Sequence, residues 1–134
     1  VYLLGYTYEV SEKQYEIEEY VDPGGKKPFG DWLLRLKDAV ARAKLTARID
    51  RAAYGNFGDW KAIKNAPGVF EMREHYGPGY RIFYAKVGQK IVLLLAGSTK
   101  RDQKKAIAIA KERLAHYAKT KHAEREKNDG KESK

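Results

Sequence analysis

The sequence contains no cysteine, which excludes disulfides and thiolate metal sites. Histidine is scarce. His75, His116 and His122 are the three copies, and none has a histidine at the i+3 or i+4 spacing of a zinc-binding helix. No metal and no other cofactor is therefore expected. No apolar run approaches the ~20 residues that cross a bilayer. No basic start, apolar centre and small-residue cleavage site follow one another as they do in a secretory signal. The expectation is a cytoplasmic protein with no membrane partner. No internal repeat is visible.

What is present is charge. The chain has 134 residues, 43% of them hydrophobic, which is enough for one domain with a real core. A charged fraction of 34% and a mean hydropathy of −0.71 place much of the rest on a polar surface. Net charge is +9 and the isoelectric point about 9.6. The charge is uneven. Residues 60–105 hold ten Lys/Arg and three Asp/Glu, net +7, whereas residues 1–28 hold three basic and six acidic residues, net −3. A segment that concentrates positive charge suits a polyanion partner. A basic surface without a partner is the alternative.

Along the chain, Tyr2 to Tyr8 reads as an edge strand or an extension, and residues 1–12 are set apart for that reason. Tyr15 to Val21 alternates as a strand, and Asp22-Pro23-Gly24-Gly25 turns it. Pro28 opens a short helix whose apolar face is Phe29, Trp32, Leu33 and Leu36. Asp38 is placed to cap a second helix, with Ala41, Leu45, Ile49 and Ala52 inward. Its Lys44, Arg48 and Arg51 stripe is read as a solvated face, with contact to RNA or an acidic partner as the sharper option. Gly55 ends it.

Three strands follow: Phe70 to Arg73, Tyr80 to Val87, and the continuously apolar Ile91 to Ala96, which suggests a central strand buried on both faces. Gly88-Gln89 fits a tight hairpin. Thr99 to Asp102 has capping-box spacing ahead of a last helix buried through Ile107, Ala110, Leu114 and Tyr117. From Ala118 the apolar pattern stops, and 118–134 is expected as a charged tail, disordered or frayed helix at best. The order β-α-α-β-β-β-α defines an α+β domain over 13–117, with helices on a small twisted mixed or antiparallel sheet of about four strands.

Several pieces taken together resemble a known superfamily. They are Pro28-Phe29 with Trp32-Leu33 and Leu36-Lys37-Asp38, and Ala47 to Arg51. Gly55 to Asp59 with Lys61 and Gly68 to Arg73 follow. Gly77-Pro78-Gly79-Tyr80-Arg81-Ile82-Phe83-Tyr84, Leu93 to Leu95, and Lys100 with Gln103 and Ile107 complete the set. In this order, from about Tyr15 to Tyr117, the sequence resembles the RelE/ParE toxins of type II toxin–antitoxin systems, most closely the HigB-like branch of addiction module killer proteins. The resemblance implies a RelE-like fold and a ribosome-dependent mRNA endoribonuclease that needs no metal and leaves 2′,3′-cyclic phosphate and 5′-OH ends. It also implies a cognate antitoxin with a helix-turn-helix domain, HigA-like, as partner. A ParE-like inhibitor of DNA gyrase and an RNA- or antitoxin-binding member without strong catalysis are the alternatives. Two departures from the pattern bear on the last of these: Gly97-Ser98-Thr99-Lys100 stands for Gly-Gly-Asp-Lys, and Ala106 replaces an Asp before Ile107.

The residues that would carry the chemistry are Lys61, Arg73, Arg81 and Lys100, with Lys64, Arg101 and His75 as further phosphate or RNA contacts. Lys61 and Lys64 read either as solvated loop lysines or as backbone binders, one of them a base if neighbouring cations lower its pKa. Arg73 either clamps a phosphate or pairs with a carboxylate such as Glu71. Arg81 joins the same site or is a structural arginine. Lys100 and Arg101 lie at the start of the last helix, where the positive end of its dipole adds to their charge. His75 shares the parity of Arg73 and could serve as acid or base or be incidental. Tyr80 and Tyr84 could stack on a base, but their parity with Ile82 favours the core.

Overall fold

The computed structural model describes residues 2–3, 5–7 and 12–132. Two short strands, β1 (Tyr2–Leu3) and β2 (Tyr6–Thr7), pair with each other and not with the main sheet. The remainder of the expected extension, residues 1, 4 and 8–11, lies outside the described residues, as do residues 133–134 of the expected tail. The main elements are β3 (Glu16–Glu19), α1 (Pro28–Arg35), α2 (Ala39–Ala53), β4 (Trp60–Ala62), β5 (Phe70–Glu74), β6 (Tyr80–Val87), β7 (Ile91–Thr99) and α3 (Gln103–Glu132).

The five-stranded sheet has the order β3-β7-β6-β5-β4. All neighbours are antiparallel except β3 and β7, which run parallel with Ile17 opposite Val92. The expected mixed α+β sheet is present, with one strand more than expected. The extra strand, β4, is only three residues long and places Lys61 on the sheet edge rather than in a loop. β7 is an interior strand between β3 and β6, as its apolar run requires: Val92 to Ala96 are all buried. The β6–β7 hairpin turns through Gly88 (φ 58°) and Gln89 (φ 64°), both left-handed, and Lys90 N donates to Val87 O at 3.2 Å.

Helices cover both faces. On one, α3 packs over Phe83, Ala85, Leu93 and Leu95 with Ala106 and Ala110. On the other, α1 and α2 bury Phe29, Ala41 and Leu45 against Met72, Ile82, Tyr84, Val92 and Leu94. Each large side chain so buried contributes roughly 1.5–3 kcal/mol relative to exposure. Pro28 is in the first turn of α1, and Trp32 lies flat over β7 where Gly97 leaves room; a Cβ at position 97 would collide with the indole. The Asp38 carboxylate caps α2 as expected, accepting from Val40 N (2.9 Å) and Ala41 N (3.2 Å).

Two readings meet a different arrangement. Thr99 ends β7 and α3 begins at Gln103, so the capping box does not form: the backbone turns at Lys100–Asp102, with Asp102 N donating to Thr99 O at 3.2 Å. The last helix also does not stop at Tyr117. Residues 118–130 are exposed but helical, and α3 continues to Glu132. This stretch is rich in Ala, Lys, Glu and Arg, which hold a helix by propensity. The Lys121–Glu124 pair (3.5 Å) and the His122–Glu126 pair (3.1 Å) lie at helical spacing on its surface.

Candidate functional site

The strand pair β5–β6 carries charge where a sheet covered on both faces should carry none. Alternation points Phe70 and Met72 toward α2 and Glu71 and Arg73 the other way. Cross-strand register puts Lys61 opposite Glu71 and Arg81 opposite Arg73, all on that second face. Glu71 is fully buried and satisfied by its neighbours. Its Oε1 accepts from Arg73 Nε at 2.9 Å and lies 3.8 Å from Lys61 Nζ. Its Oε2 accepts from Gln103 Nε2 at 2.8 Å and lies 3.9 Å from Arg81 Nε. Of the two outcomes open for Arg73, the pairing with Glu71 is therefore seen.

These residues form one side of an open cleft of about 550 Å³ lined by Lys61, Arg73, His75, Arg81, Lys100, Gln103 and the Gly77-Pro78-Gly79 loop. The cations are graded by depth. Side-chain exposure rises from 7% at Arg81 through 28% at Arg73 to 51% at Lys61. With Lys100, four cations face one carboxylate, leaving three positive charges without a counter-charge in the cluster. Two buried polar atoms in this region have no hydrogen-bond partner among the described residues, Arg81 Nε and Ser98 Oγ, and Arg81 and Ser98 are cross-strand partners. Buried polar atoms left open in this way usually mark a place where a ligand or water completes the set.

The loops are pinned around the cleft. Lys100 N donates to Gly79 O at 2.9 Å, and Gly79 adopts φ 80°, where a side chain would be strained. Tyr76 OH donates to Asp38 Oδ2 at 2.8 Å, which ties the same loop to the start of α2 and holds the Asp38 carboxyl below its ordinary range. Lys44 lies 5.5 Å over the Tyr76 ring. Arg48, expected on a solvated stripe, instead turns inward. Its Nη2 donates to Arg73 O (2.8 Å), Asp59 O (3.3 Å) and Phe57 O (3.5 Å), fastening the loop before β4 to β5. An intrahelical sequence pattern cannot see these acceptors, because they belong to residues far along the chain. Gly58, at φ 59°, leaves space for that guanidinium.

His75 lines the cleft beside Arg73, as the parity suggested, with Nε2 2.7 Å from Asp59 Oδ2. This bond, with the charges of Arg73 and Arg48, lowers the Asp59 pKa. Lys64 and Arg101 are exposed and do not line the cleft. Thr99 and Ala106 do not line it either, and Ala106 is on the face of α3 buried against the sheet. Tyr80 and Tyr84 are core residues. Reading the sequence alone missed the full burial of Glu71. The signal was available: a carboxylate in mid-strand between apolar residues must be paired if both sheet faces are covered. Among the described residues no group of His, Asp and Glu is placed to hold a metal ion.

An α+β domain that gathers cations from three strands and a helix start around one buried carboxylate is the class that fold and site define. Residues 31–115 match the family model described as Phage derived protein Gp49-like (DUF891), and the chain belongs to that family, a toxin-like family related to addiction module killer proteins. A protein of Haemophilus influenzae (strain ATCC 51907 / DSM 11121 / KW20 / Rd), described only as uncharacterized, is 43% identical over 83 residues, covering 62% of this chain and 82% of that protein. No helix among the described residues is long and apolar enough to cross a membrane.

Proposed function

We propose that the protein is the toxin of a type II toxin–antitoxin pair, HigB-like within the RelE/ParE superfamily, and that it cuts mRNA on the ribosome. The observation that carries this reading is the convergence of Lys61, Arg73, Arg81 and Lys100 on one cleft around Glu71. In the reaction the 2′-oxygen attacks the adjacent phosphorus and the bond from phosphorus to the 5′-oxygen breaks. The 2′-OH proton goes to a base and the leaving 5′-oxygen takes one from an acid, which leaves a 2′,3′-cyclic phosphate and a 5′-OH. Charge builds on the non-bridging oxygens, and fixed cations facing it accelerate the step by roughly 10²–10³ each.

Arg81, held deep, and Arg73, oriented by Glu71, take the phosphate. Lys100 joins them from the turn before α3. Of the residues that line the cleft, Lys61, Lys100 and His75 carry side chains able to give up or take a proton, whereas the arginines stay charged. The base and acid are drawn from these three. Lys64 and Arg101, exposed beside the cleft elements, contact RNA further along the strand. No cofactor enters the scheme. The partner that restrains the activity is an antitoxin, helix-turn-helix in this branch, and the setting is the cytoplasm.

The test is a defined mRNA on purified ribosomes. Site-specific cleavage should appear with the wild-type chain and fall at least about 100-fold in Lys61→Ala and Arg73→Ala. RNA binding without cleavage would remove the enzymatic half of the proposal and leave an anion-binding cleft. Inhibition of gyrase supercoiling with no effect on mRNA would replace it altogether.

A further inference from the structure

The face of the sheet opposite the cleft carries a second feature that the reaction does not use. Trp60, Phe70, Tyr84, Phe57 and Tyr15 form a chain of ring contacts. Trp60 meets Phe70 edge-on at 5.9 Å, and Phe70 stacks on Tyr84 at 5.6 Å. Tyr84 stacks on Phe57 at 5.3 Å with planes 7° apart, and Phe57 meets Tyr15 at 5.5 Å. Lys86 lies across them, with Nζ 4.6 Å from the Phe57 centroid, 5.8 Å from those of Trp60 and Phe70, and 5.9 Å from that of Tyr15. An ammonium within about 6 Å of a ring is attracted to its face.

Phe57 and Tyr84 are buried, but Trp60 is 48% exposed. The indole covers Phe70 with one side and leaves the rest of its surface open at the outer edge of the sheet. Trp60 is on β4, the last strand in the order, so among the described residues one side of its backbone ladder has no partner strand. Its chain neighbour is Lys61. Because side chains alternate, Trp60 points to the α2 side and Lys61 to the cleft. One residue step over a free edge therefore separates an exposed indole, with a cation beside it, from a cation of the phosphate site.

We propose that Trp60, backed by Lys86, is a stacking platform for an RNA base flanking the phosphate held in the cleft. The strand turns over the edge of β4, its phosphate on the Lys61 side and the base on the Trp60 side. This rests on the reading of the cleft as a phosphate site. An indole accepts any base through its π-face, so the platform adds affinity without selecting sequence.

The test uses a single-stranded RNA oligonucleotide with 2′-O-methyl sugars, so that binding is read without cleavage. Tryptophan emission should be quenched on binding by the wild-type chain and not by Trp60→Phe, in which Trp32 alone remains. Trp60→Ala should weaken binding about ten-fold and Trp60→Tyr should restore most of it. Replacing each base in turn by an abasic sugar should find one position that weakens the wild type about ten-fold and does not weaken Trp60→Ala further. Circular dichroism checks that the variants fold. If Trp60→Ala binds as tightly as wild type while Lys61→Ala and Arg73→Ala lose binding, the platform is overturned and the cleft stands. An abasic scan identical in the two proteins overturns the platform as well. If the wild type does not bind, or Lys61→Ala and Arg73→Ala bind unchanged, the cleft reading falls and takes the platform with it.

Discussion

The two faces of β5 and β6 are built from alternate residues of the same strands, yet they are stabilised in opposite ways. Toward α2, Phe70, Met72, Ile82 and Tyr84 are held by packing, and the cluster contains one buried polar atom without a hydrogen-bond partner among the described residues, Tyr84 OH. Toward α3, Glu71, Arg73 and Arg81 are held by one another, and their removal from water is tolerated only because Glu71 answers three cations and Gln103 together. The first face gains from losing polarity and the second fails if polarity is lost on one side alone. A charge cluster of this kind is a poor way to gain stability, and its presence in the middle of a small sheet is the physical argument that it serves something other than folding.

The sharpest way to break this contrast is to remove its centre. Glu71→Ala leaves the deeply buried Arg81 and the half-buried Arg73 without their carboxylate and should cost about 3–5 kcal/mol in urea unfolding. Glu71→Gln, which keeps the shape and some hydrogen bonding, should cost less. An unchanged midpoint in Glu71→Ala would show that the cluster is solvated and the contrast false. On the opposite face the sign should reverse. Tyr84→Phe removes a hydroxyl whose titration burial has pushed far up and which has no hydrogen-bond partner among the described residues. It should leave stability unchanged or raise it by up to about 1 kcal/mol, read as a higher thermal midpoint. A clear loss would mean that an unseen partner satisfies Tyr84.

Smaller effects refine the charged face. Lys100 makes no ion pair among the described residues, so Lys100→Ala should leave stability alone. If it meets one phosphate, the log–log salt dependence of RNA binding should become shallower by about 0.7. A slope equal to wild type would remove Lys100 from the contact. The smallest effect concerns acid. Asp38 titrates below its ordinary value because Tyr76 and the first amides of α2 hold its charged form. Its contribution is therefore complete above the unfolded value of about 3.9 and is lost as pH falls through the lower folded value. A pH titration of thermal stability should be flat in this respect down to about pH 4 and fall below it, and Asp38→Asn, which still caps, should reduce the drop.

Much of this was legible in the chain and some was not, for reasons that can be named. The apolar run Ile91 to Ala96 announced an interior strand, and Asp38 announced the start of α2, because both signals are local. Lys61, Arg73, Arg81 and Lys100 were singled out through the resemblance, and strand parity added only that His75 could share the face of Arg73. β4 did not announce itself: Trp60-Lys61-Ala62 is too short to show alternation and exists because β5 offers it a partner. The inward turn of Arg48 is invisible in the sequence because its acceptors are carbonyls on other elements. Helix beyond Tyr117 is equally hard to foresee from buried positions, because this stretch is helical with none.

The parallel pairing of β3 with β7 has a consequence for the order of events during synthesis. Residues 16–19 leave the ribosome long before residues 91–94, the strand they pair with. Contacts so far apart in sequence close late, after the intervening chain has found its own structure. Lys100 and Gln103 emerge later still. The cleft is therefore not assembled until the whole chain from β3 to the start of α3 has emerged.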